Sequence, residues 1–164
     1  MKEIKIDLRP HYTFAFCTES MEFGGKHLLY FSRKDHSLHI LFEAPKYGID
    51  SEEENAELSI PLDTAAAKAL ETVFALFVTA FKLYEKLNNS AWRVCDGSFC
   101  TVICGRNRVH YEGPRFDELF ESFDNMANSL LSMKAECSQA EIQESLNSAN
   151  EVKAILEEYI ENNR

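Results

Sequence analysis

The chain has 164 residues, 45% of them apolar, with twelve Phe and a formal charge of −10. A chain of this length fits one domain that buries about two thirds of the surface its unfolded form exposes, so a disordered tail is excluded. The acidic balance argues against a general nucleic-acid binder, which needs a basic face to displace counterions from phosphates, and leaves a basic protein partner, mimicry of a nucleic acid or plain solubility as its meaning.

The opening Met1-Lys2-Glu3-Ile4-Lys5 goes straight into alternating apolar and charged residues rather than a leader, so a cytoplasmic setting is expected. Ile4, Ile6 and Leu8 share one face of a strand, and Tyr12, Phe14 and Phe16 repeat the pattern after Pro10. Leu28 to Phe31 and then Leu38, Ile40 and Phe42 complete a meander of about four strands with one apolar face. Pro45 to Glu57 reads as a polar loop carrying Asp50, Glu52, Glu53, Glu54 and Glu57, and Leu58 to Pro61 as a further short strand. Asp63 or Thr64 caps a helix running to about Leu87, because either side-chain oxygen can accept free N–H groups of the first turn. Leu70, Val73, Phe74, Phe77, Val78, Phe81 and Tyr84 cover more than half of that helix, which places it between the sheet and later helices. Its most apolar run, Ala69 to Phe81, includes Glu71 and falls short of the roughly 20 residues a bilayer needs, so no membrane association is expected.

Ser90 to Arg115 has the pattern of a three-stranded meander. Trp92 to Cys95 enters an Asp96-Gly97 turn, Ser98 to Cys104 returns, and a second turn around Gly105-Arg106-Asn107 sends out Arg108 to Glu112. Phe116 to Met133 then forms an amphipathic helix, and Ser138-x-x-Glu141 is a capping box that opens a third helix. The expected architecture is one α+β domain over residues 1–164. About four N-terminal and three central antiparallel strands pack on a buried central helix, and two C-terminal helices follow. Whether the two strand groups join into one sheet stays open at this stage.

The five cysteines are an odd number in a chain without an export signal, so reduced thiols are expected. On a strand Cys100 and Cys104 stand about 13 to 14 Å apart, too far to share a zinc ion, and Cys95 and Cys100 are diagonal neighbours about 7 to 8 Å apart, long for a disulfide. No metal and no cofactor is therefore expected, and no nucleophile elbow, phosphate loop or metalloprotease helix points to a catalytic residue. His36 and His39, three apart, project to opposite faces of a regular strand.

Charge is unevenly spread: residues 1–60 carry −4, residues 61–115 carry +2 and residues 116–164 carry −8. The central cations Arg93, Arg106, Arg108 and Arg115, with His110 beside them, are a candidate anion site, since guanidinium forks grip carboxylates and phosphates. The competing reading pairs those arginines internally with the many acids of the C-terminal helices. The acidic residues 50–57 are a candidate partner-binding surface, and the apolar arc of the last helix (residues 139–163) would form a homodimer if left uncovered. The leading functional expectation is a non-enzymatic acidic binding protein of the inhibitor, immunity or accessory-subunit kind. The alternatives are a binder or enzyme for an anionic ligand, and a structural homo-oligomer.

Overall fold

Period-two alternation becomes strand at β1 (Phe14–Ser20), β2 (Lys26–Ser32), β3 (Ser37–Glu43) and β4 (Ala56–Pro61), and again at β5 (Ser98–Cys104) and β6 (Asn107–Gly113). A computed structural model describes residues 4–8, 12–20, 25–45, 56–87, 98–113, 118–133 and 138–164. The strands form one six-stranded antiparallel sheet in the order β4-β3-β2-β1-β5-β6. The two strand groups thus join, through β1 and β5. Trp92 to Cys95 and the Asp96-Gly97 turn lie outside the described residues.

Helix α1 (Thr64–Leu87) connects β4 at one edge to β5 beside β1, so it must cross the sheet. Four strand spacings amount to about 19 Å, and a helix of this length reaches about 36 Å, ample for the crossing. Of the two cap candidates it is Asp63 that serves, its Oδ1 accepting from the Ala66 N–H at 2.7 Å. Helices α2 (Glu118–Leu131) and α3 (Ser138–Asn163) complete the chain. α1 and α2 touch the sheet, and α3 packs on both of them. The central helix is therefore sandwiched, as its apolar circumference requires. By length and composition α1 is apolar enough to cross a membrane, contrary to the expectation drawn from its shorter core run. Burial against sheet and α3 is what accounts for that apolarity.

Cross-strand register sorts the core. Val109, Val102, Phe16, Leu29, Ile40 and Leu58 form one row across all six strands, and Cys104, Phe14, Phe31, Leu38 and Ile60 form the next. Above these rows Phe123 of α2 inserts among aromatic rings. It stacks on Phe77 at 3.9 Å between centroids and meets Phe74 at 5.2 Å and Phe16 at 6.1 Å. One ring thereby joins both helices to the sheet.

The first predicted strand is different from expectation. Ile4 to Leu8 pairs with no strand but lies over the sheet face opposite the helices, where Ile6 is buried with Ala15, Cys17, Leu28 and Ile103. The Ile6 N–H donates to Glu43 Oε2 at 2.7 Å, and the Leu8 carbonyl accepts from Arg108 at 2.9 Å. Its alternation reports burial of one face, which a sheet surface supplies as well as a neighbouring strand does. β4 takes the fourth N-terminal place instead.

One carboxylate enters the helix-side core. Asp124 of α2 accepts a hydrogen bond from the Tyr111 hydroxyl on β6, next to the Cys100 thiol. Burial pushes the Asp124 carboxyl up to about 6, against the Tyr111 hydrogen bond, which acts the other way. Burial, with the Asp124 charge adding to it, pushes the Cys100 thiol up to about 12.

Replacing Phe123→Ala removes the ring shared by three elements and is expected to cost roughly 3 to 5 kcal/mol, read as a lower denaturant midpoint. The raised Asp124 carboxyl makes folding favour the protonated form. Its contribution is complete below the ordinary value of 3.8 and is lost as pH rises through about 6. Compared with Asp124→Asn, the natural chain should lose roughly 2 to 3 kcal/mol of unfolding free energy between pH 4 and 7, measured by urea titration at each pH. A constant difference across that range would refute the assignment.

Candidate functional site

The predicted anion site is only partly in view. Arg93 and Arg115 lie outside the described residues. Arg106 is exposed in the β5–β6 turn, opened by Gly105 at φ +60°. Arg108 stands on the outer sheet face, holding the Leu8 carbonyl. His110 is on that same face, its Nδ1 2.9 Å from the Thr101 hydroxyl. Cys100 faces the helices instead, because Cys100 opposes Tyr111 while Thr101 opposes His110. Among the described residues no three His, Cys, Asp or Glu side chains gather where a metal ion would be held.

Of the acidic loop, Asp50, Glu52, Glu53 and Glu54 also fall outside the described residues. Glu57 is exposed on β4 and opposes Leu41, which places it on the outer sheet face, away from α2 and α3. The apolar arc of α3 is spent inside the molecule: Ile142, Ala149, Val152, Leu156 and Ile160 are all buried. Among the described residues the exposed large apolar side chains are Leu87 and Phe99, neither of them on that helix.

What α2 and α3 present outward is acid. Together they carry nine Asp and Glu and a single basic residue, Lys153, whose Nζ lies 3.9 Å from Glu157. Glu121, Glu144, Glu151, Glu157, Glu158 and Glu161 are exposed. Between the two helices runs a groove of about 500 Å³, with Ser129 and Ser132 on one wall and Glu141, Glu144, Ser148 and Glu151 on the other. Glu141 Oε2 is buried there with no hydrogen-bond partner among the described residues.

The outer sheet face carries a second polar arrangement that spacing along the chain did not reveal. Leu62 N–H donates to His36 O at 3.1 Å, which fixes the alternation of the β3–β4 ladder. By that alternation Leu38–Ile60 and Ile40–Leu58 are the hydrogen-bonded pairs and His39–Ser59 is a non-hydrogen-bonded one, with its side chains drawn close. The Ser59 Oγ lies 2.7 Å from His39 Nδ1, and His39 Nε2 lies 2.8 Å from Asp35 Oδ2. Asp35 sits in the β2–β3 turn, where the Ser37 N–H binds its other oxygen at 3.2 Å. Burial works against the ionised carboxylate, but the His39 charge, the His39 hydrogen bond and contacts to Ser37 and Ser32 together hold Asp35 below its usual range.

Tyr30 stacks on the His39 ring at 4.8 Å and 12°, with Tyr12 behind it at 4.8 Å. His36, by contrast, is turned away. It occupies the left-handed region at φ 56° and donates from Nδ1 to the Leu62 carbonyl at 2.8 Å. The two histidines diverge as expected, and it is the cross-strand neighbour of His39 that makes the cluster. Nearby Cys17 is buried, which pushes its thiol up to about 12 and leaves it protonated.

Comparison with protein-family models, curated proteins and solved structures finds no match to this chain.

Proposed function

We propose that this protein is an acidic binding protein that engages a basic protein partner through the outward face of α2 and α3. The observation that carries this reading is the concentration of exposed carboxylates on two adjacent helices with one lysine between them. A single-sign surface of this kind focuses its field and accelerates encounter with a cationic surface. The groove between the helices adds a recess for an inserted Lys or Arg side chain, whose ammonium or guanidinium would satisfy the buried Glu141 oxygen. That mode of binding suits an inhibitor, immunity-type or accessory-subunit role, and the setting proposed for it is the cytoplasm.

A tagged chain used as bait at low salt should recover a basic protein whose cross-links map to α2 and α3. The charge reversals Glu144→Lys and Glu151→Lys together should weaken that complex at least tenfold, because both carboxylates flank the groove. Raising the salt well above about 0.1 M, where screening acts within about 10 Å, should weaken it as well. A partner held equally by the reversed variant, or cross-links confined to the sheet side, would overturn the proposal.

A further inference from the structure

We propose that Ser59 is a surface nucleophile, activated by His39 and oriented through Asp35, that accepts acyl groups from small carboxylic esters. This chemistry belongs to the sheet side of the molecule and is independent of the helical face.

Three features make the chain of groups more than a polar decoration. The first is tautomer control. An ionised Asp35 can only accept, so the hydrogen between it and His39 must sit on Nε2. In the neutral ring Nδ1 is then a lone pair 2.7 Å from the Ser59 Oγ, and the hydroxyl donates to it. The second is orientation: the Tyr30 ring lies almost parallel on the imidazole, and the Ser37 N–H holds the far oxygen of Asp35. The third is the contrast in exposure. The His39 side chain is 11% exposed, whereas Ser59 is open to solvent on the edge strand. A sheltered base beside an accessible hydroxyl is the arrangement nucleophilic catalysis requires.

The edge position supplies one more element. Because His39–Ser59 is a non-hydrogen-bonded pair, the Ser59 backbone N–H points away from β3, toward the side of β4 that pairs with no other strand among the described residues. It is a donor positioned for the oxygen that becomes negative when the hydroxyl adds to a carbonyl. In the step itself Ser59 Oγ attacks the ester carbonyl carbon while its proton passes to His39 Nδ1. The C–O bond to the alcohol then breaks and that proton leaves with the alkoxide oxygen. Water repeats the sequence on the acyl-serine, giving a carboxylic acid and restoring Ser59. Asp35 and the neighbouring Glu57 make the surroundings anionic, so neutral or cationic short-chain esters are favoured over anionic ones.

The test is incubation of the full chain with p-nitrophenyl acetate, following nitrophenolate release and locating the acetyl group by peptide mass spectrometry. The expected result is an acetyl group on Ser59 ahead of other serines and of the lysines, and none at that position in Ser59→Ala. Asp35 is a positioning residue. Asp35→Asn should slow acylation by about a hundredfold or more, and Asp35→Glu, which keeps the carboxylate, should restore part of it. Nitrogen NMR should show the His39 hydrogen on Nε2 in the natural chain and shared between Nδ1 and Nε2 in folded Asp35→Asn, in step with the lost acylation, a coupling that a fold-only role for Asp35 would not produce. Acetylation confined to lysines or scattered over serines, or an Asp35→Asn rate equal to the natural one in a folded protein, would overturn the proposal.

Discussion

The pairing of β1 with β5 is the constraint on which the rest depends. It joins segments separated by more than seventy residues, and it makes β1 a central strand rather than the end of the N-terminal meander. Everything on either face is aligned by it. On the helix side it completes the rows against which α1 and α2 pack, and it sets β6 where Tyr111 can meet Asp124. On the outer side it extends one row from Arg108 through Ile103, Ala15, Tyr30 and His39 to Ser59. Closing so long a loop costs conformational entropy that grows only slowly with length. The long α1 spends much of that separation in regular structure, and Phe123 stabilises the result by touching helix and sheet at once.

The two faces of the sheet are covered differently. The helix side is a continuous apolar and aromatic core into which Asp124 of α2 reaches to meet Tyr111. The outer side is half covered: the extended residues Ile4 to Leu8 shelter Cys17, Leu28 and Ile103, and polar groups occupy the remaining width. The Asp35–His39–Ser59 chain lies at the uncovered end of that face. The acidic surface lies beyond the other face, on α2 and α3, so the partner binding and the serine chemistry we propose would be spatially separate.

Much of the fold was legible because it depends on short periods. Strand alternation marked β1, β2 and β3, the wide apolar stripe of α1 announced a sandwiched helix, and Gly105 marked the β5–β6 turn. Ile4 to Leu8 misled, since alternation records which side chains are buried without recording what buries them. The single sheet could not be read, because no short turn joins β1 to β5 and residues more than seventy apart in sequence pair there. The site was less legible still. His39 and Ser59 are twenty residues apart in sequence and adjacent only through β3–β4 register, while Asp35 reaches His39 from a turn. Residue spacing alone separated His36 from His39 and stopped there. The acidity of the C-terminal third was plain in the sequence, but that α2 and α3 lie side by side with a groove between them was not.

The most direct measurement of the central pairing is a proton NOE spectrum of the folded chain. Thr13 O accepts from Gly105 N–H, so Ala15, Cys17 and Glu19 point their N–H groups at β5, and Phe16–Val102 and Thr18–Cys100 are the closely spaced pairs. Strong Hα–Hα cross-peaks are predicted for both pairs, together with slow exchange of the Ala15 and Cys17 amides. Absence of those cross-peaks, with Ala15 and Cys17 exchanging as fast as an open strand edge, would mean two separate sheets and would contradict the account.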